Sequence, residues 1–185
     1  MAASFRALHI GVMAQPPAGL ARLWRVWIVI AVVDGIFASC LSVFAYGSTF
    51  TRLWQGVAST VFGATMIDGG MRATGLGLAV HAGVALLWST VFLLLTERVV
   101  WLRDQLRTMG GVVAVSMVYG PLVWSAMSLA LIPLLTGRPP SVTGRWWFQW
   151  AAHVPFVAFP IVYMASRTAV RGGVGPSAPV PEHAR

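Results

Sequence analysis

From Thr74 to Thr96 the chain carries not one Asp, Glu, Lys or Arg. Gly110 to Leu135 and Trp146 to Ser166 are equally bare, and Trp24 to Phe44 holds only Arg25 and Asp34. Each stretch comes close to the ~20 residues needed to cross ~30 Å of hydrocarbon. Lipid offers no partner for backbone N–H and C=O groups, so a helix is the only viable form for each. One such stretch fits a soluble core, but four in one short chain do not. Composition agrees: 10% of the 185 residues are charged, against about 25% in soluble domains, and mean hydropathy is +0.75. The expected architecture is an all-α, integral membrane four-helix bundle.

Arginine placement sets an expected orientation. The net charge is +8, and the basic residues lie in tails and loops, which argues against a nucleic-acid surface. Arg6, Arg22, Arg25, Arg98, Arg103, Arg107, Arg167, Arg171 and Arg185 share one side of a four-span topology; Arg52, Arg72, Arg138 and Arg145 share the other. The positive-inside rule then puts both termini in the cytoplasm of a bacterial inner-membrane protein. Trp24, Trp27, Trp101, Trp146, Trp147 and Trp150 flank the apolar runs, as an interfacial belt requires. The expected organisation is a cytoplasmic segment 1–22, a membrane domain 23–167 with spans near 24–44, 74–96, 110–135 and 146–166, and a disordered Gly/Pro-rich tail 168–185. The first residues lack the apolar region of a signal peptide, so the first span is expected to stay uncleaved.

The connector from Tyr46 to Arg72 is too long for a plain turn. Its apolar middle predicts a short interfacial or re-entrant helix on the outer face, near 51–63. Gly56, Ser59 and Gly63 share one helical face there and favour close packing on the bundle.

Ionisable groups inside membrane spans are costly and mark candidate sites. Three stand out: Asp34, His81 and His153. Counting 1.5 Å per residue from the expected span ends places both histidines roughly 10 Å below the outer surface and Asp34 roughly 15 Å below it. Gln149, one turn before His153, can offer it a hydrogen bond. Gly77 and Ala85 flank His81, and Gly35, Ser39 and Ser42 flank Asp34, as small-residue packing faces. Three readings stay open: a buried Asp–His pair, a polar cavity or proton path lined by all three, and a b-type haem between His81 and His153. Pro121, Pro133, Pro155 and Pro160 interrupt helical ladders and free carbonyls that need other donors.

Enzyme signatures are wanting. No catalytic residues, phosphate loop or metal-ligand spacing are legible, and the single Cys40 allows no intrachain disulfide. No internal repeat of the secondary-transporter kind is evident. The partners implied are the lipid bilayer and a membrane-protein partner or second copy of the chain, with no nucleic acid and no resident cofactor outside the haem alternative.

Asp34, "QGVASTVFG" at 55–63, "LGLAVH" at 76–81, "YG" at 119–120 with Met127 and Pro133, and "HVPFVAFP" at 153–160 occur in an order that resembles a group of small, functionally uncharacterised four-helix bacterial membrane proteins, including those of the YagU type. The resemblance implies the four-span plan and the Asp/His/His set, and no activity. Ser128 departs from it, standing where the group favours Asn.

Overall fold

The computed structural model describes residues 18–171, with side chains from 19 to 167. The segment before Ala18 and the tail after Arg171, with Arg6 and Arg185, lie outside the described residues.

Helices form where the sequence is apolar, and they run past each apolar stretch into its flanks. The first, α1 (Ala18–Cys40), continues through a wide π-helical turn at Leu41–Ala45. The short α2 (Phe50–Phe62) follows, with Thr49 accepting a capping bond from the Arg52 N–H. A 3-10 turn at Ala64–Asp68 leads into the long α3 (Gly70–Arg98). Then come α4 (Val100–Gln105), α5 (Met109–Ser125), a π turn at Ala126–Leu131 and α6 (Ile132–Thr136). The last span is α7 (Gly144–His153), a π turn at Val154–Ala158 and α8 (Phe159–Arg171). The described residues contain no strand. Four continuous helical runs are long and apolar enough to cross a membrane: Gly19–Ala45, Gly70–Arg98, Met109–Thr136 and Gly144–Arg167. The fold is an all-α bundle with a short extra helix.

The prolines are absorbed in two ways. Pro121 sits inside α5 without breaking it, whereas Pro155 falls in a π turn and Pro133 directly follows one. A π turn shifts hydrogen-bond register by one residue. At Pro155 the carbonyl left without its usual donor, Ala151, takes the N–H of Val154.

The spans pack so that α1 lies on α3, and the α7–α8 run lies on both α1 and α5. At one end of the bundle α2 stands against α3 and reaches α6; this is the α2 end, and the opposite, terminal end holds the start of α1, the end of α8 and α4. The two ends are built differently. Toward the terminal end, Val26, Phe92, Val112, Tyr119, Ile161 and Val162 form a close apolar core. Three hydroxyls there find main-chain acceptors: Ser116 donates to Val112 O and Thr96 to Leu93 O, and Tyr119 Oη ties α5 to α3 by donating to Trp88 O at 2.7 Å.

The α2 helix is held by specific contacts. Arg52 donates to Ile67 O and Asp68 Oδ1, each at 3.1 Å, and Gln55 Nε2 donates to Gly70 O. Trp54 and Ala58 are fully buried against α3. That contact corrects the expected packing face. Gly56 and Gly63 have open space around them, and the residue that admits α2 is Gly77 of α3: any side chain there would overlap the Trp54 carbonyl. The close approach is supplied by the long helix, because the α2 backbone itself is the protruding surface.

Candidate functional site

Asp34, His81 and His153 come from α1, α3 and α7, and all three line one cavity of about 230 Å³. The helices extend beyond the expected span ends, which changes the depths. His81 lies eleven residues from the start of α3, or ~16 Å. Asp34 is as far from the end of the α1 run, and His153 sits ~13 Å into α7. The three groups thus share one level, deeper for the histidines than the expected ~10 Å, and Asp34 does not lie a turn below them.

Each histidine is fixed by a main-chain carbonyl. His81 Nε2 donates to Ala31 O at 3.1 Å. A carbonyl only accepts, so this contact assigns the proton to Nε2 and leaves Nδ1 as the exchangeable nitrogen. Nδ1 faces Asp34 Oδ2 at 3.9 Å, beyond direct hydrogen-bond length but close enough for strong electrostatic coupling. His153 Nδ1 donates to Gln149 O at 2.7 Å, which leaves its Nε2 exchangeable. Asp34 lies within electrostatic reach of His153 as well as His81.

Gln149 therefore contributes differently from expectation. Its main-chain carbonyl holds His153, and its side chain is absent from the cavity lining. The reason is helical geometry: the imidazole reaches back to the carbonyl of its own preceding turn, which is nearer than the amide of that residue.

Glycines stand where the imidazole-bearing helices meet their neighbours. Gly35 of α1 lies beside the His81 ring, where a Cβ would make an ordinary contact 3.4 Å from Nε2. Gly120 brings α5 against the His153 backbone, where a Cβ would fall 2.7 Å from its carbonyl oxygen. The π turn at Val154–Ala158 starts immediately after His153 and re-aims the remainder of that span.

Tryptophans that sequence reasoning assigned to no site, Trp54, Trp88 and Trp124, complete the surroundings. Trp54 packs on the His81 ring at 5.0 Å and Trp124 on the His153 ring at 4.7 Å. Trp88 and Trp124 line the cavity, and the indole N–H of each is buried without a protein acceptor. For Trp88 and Trp124 the legible signal was a position in the middle of an apolar run, away from any interface; Trp54, in the connector helix, carried none. Of the expected belt, Trp24, Trp101 and Trp147 are exposed to the surroundings of the bundle. Trp146 instead turns inward and donates to Ser128 Oγ at 2.8 Å, while Ser128 donates to Trp124 O. Ser128 thus carries a polar contact that holds the Trp146 indole against the bundle.

The cavity adjoins a larger open vestibule of about 860 Å³ at the α2 end. Thr60, Val61, Trp124, Ile132 and Leu135 line both, and form the partition between them. Gly56, Ser59 and Gly63, the small face of α2, look onto the vestibule.

Haem ligation requires a nitrogen of each histidine directed at a shared iron. His81 Nε2 is engaged with Ala31 O and its free Nδ1 faces Asp34 Oδ2, and the cavity, at about 230 Å³, is smaller than the ~300–1,000 Å³ typical of ligand and cofactor sites. Neither feature favours a haem.

Fold and cavity together define a class: a four-helix bundle fit to span a membrane, with three ionisable side chains at one internal level. Compared with known proteins, the chain matches no family model, no curated protein and no solved structure.

Proposed function

We propose that this is a multi-pass bacterial inner-membrane protein, with both termini cytoplasmic, that works as a small transport-like module rather than an enzyme. Its working part is a proton-exchanging centre formed by Asp34, His81 and His153, reached from the vestibule on the outer face. The observation that carries this reading is the shared cavity. Burying a carboxylate and two imidazoles in a membrane bundle costs stability, and such groups are kept where they line an ion or proton route. Among the cavity-lining residues, α2, α5 and α6 supply no titratable group, so proton exchange is confined to these three. With one N–H of each histidine held by a carbonyl, the second nitrogen can gain or lose a proton without the ring turning.

The test uses the tryptophans beside the imidazoles. Protonating His81 or His153 places a charge against Trp54 or Trp124 and changes their emission. Purified protein should show a pH-dependent emission change that shrinks in His81→Gln and in His153→Gln and vanishes in the double variant. Identical pH curves for all four proteins would sink the proposal. Sidedness is checked separately: a C-terminal reporter active only in the periplasm should stay silent.

A further inference from the structure

We infer that the cavity binds a small organic monocation, a protonated amine or alkylated ammonium with a compact apolar body, whose charge sits at Asp34. The inference rests on the proposed centre and names its ligand class.

Four features of the cavity converge on this chemistry. Asp34 is the one acidic group in the lining, and the structure gives its carboxylate no direct hydrogen bond, with His81 Nδ1 held off at 3.9 Å. A carboxylate at this depth gains most from a cation that brings little water of its own. The walls are chiefly Val57, Val80, Val84, Val123, Met127 and Leu131, which match hydrocarbon and cannot replace the hydration shell of a metal ion. Consistently, no group of three His, Cys, Asp or Glu side chains among the described residues is placed to hold a metal. Trp88 and Trp124 add indole surface to the lining, and indole is the best cation–π partner among side chains. The volume of about 230 Å³ sets the size, below that of drug-sized ligands.

An anion meets repulsion from Asp34, and a neutral molecule leaves the carboxylate uncompensated. The entry route is the vestibule. Arg138, which lines it, is exposed and screened by solvent, so it does not bar a monovalent cation. The partition of Thr60, Val61, Trp124, Ile132 and Leu135 must part for the ligand to pass. At pH values where the Asp34/His81/His153 group carries an added proton, the arriving ammonium displaces that proton to water, so binding is an exchange of one cation for another.

Three probes of nearly equal shape separate the possibilities: cyclohexylammonium, cyclohexanol and cyclohexanecarboxylate. Each is titrated into the purified full-length protein while tryptophan emission is followed, and proton release is read with an indicator dye in weak buffer. The expected result is saturable binding of the ammonium alone, with proton release, weakened at least ten-fold in Asp34→Asn. Met127→Trp, which fills the cavity and keeps Asp34, should abolish binding too, so the test survives if one variant fails to fold. Equal binding of the alcohol or the carboxylate overturns the inference. Loss of every probe response, with the histidine-dependent pH change in emission intact, overturns the ligand class and leaves the proton centre standing. Absence of both signals overturns both.

Discussion

The two halves of the bundle line their interiors differently. Toward the terminal end, Phe92, Tyr119, Ile161 and Val162 pack hydrocarbon and aromatic rings between the helices, and a pocket of about 290 Å³ beside Phe92 and Tyr119 has chiefly apolar walls. Toward the α2 end the same helices leave a cavity lined by Asp34, His81 and His153, and an open vestibule beyond it. In lipid, association gains little from the hydrophobic effect and depends on close van der Waals contact and hydrogen bonds. The terminal half meets this with apolar contact and the Tyr119–Trp88 hydrogen bond. The α2 half adds the polar tethers Arg52–Asp68 and Gln55–Gly70 to the seating of Trp54 and Ala58 on α3. Asp34, His81 and His153 belong to that half alone.

Substitutions can break or sharpen that contrast. The largest effect is expected where α2 is seated on α3 at Gly77. Gly77→Ala forces its methyl into the Trp54 carbonyl, so α2 must shift. The expected loss is above ~3 kcal/mol, at the upper end for overpacking, read as a fall in the thermal midpoint in detergent with a change in Trp54 emission. An unchanged midpoint would show that α2 is not seated as described. Next, Phe92→Ala should cost about 3 kcal/mol by opening a cavity in the terminal half. His81→Ala removes the bond to Ala31 O and the contact with Trp54, an expected cost of about 1–2 kcal/mol. The smallest effect belongs to Met127→Ala. Met127 already borders open space, so its truncation should cost under about 1 kcal/mol, well below the usual range for a packed methionine. Should Met127→Ala prove as harmful as Phe92→Ala in parallel melts, the two halves are not packed differently.

Much of this molecule was legible in the chain. Apolar run lengths implied four crossing helices, and the length of the connector after Tyr46 called for the short helix that appears as α2. Asp34, His81 and His153 stood out because charge is costly in lipid, and no neighbouring residue needed to be known to see it. The face of α2 was misjudged because small residues mark where a backbone can come close, not which neighbour comes. Gly56, Ser59 and Gly63 were free to face either way, and the knob that needed room, the Trp54 backbone, fits the notch at Gly77 of a different helix. Gln149 was misassigned for a related reason: its spacing from His153 fits a side-chain bond and a main-chain bond equally well.

The sequence by itself determined where the chain is helical and which side chains are out of place in an apolar setting, because both depend on local composition measured against solvent or lipid. Tertiary structure alone decided that Asp34, His81 and His153 meet across one cavity, that each imidazole gives one N–H to a carbonyl, and that tryptophans back two of the rings. Those facts depend on how helices rotate and approach one another. Rotation is set by contacts between residues far apart in the chain, such as Gly120 with His153 and Gly77 with Trp54, and no local pattern encodes them.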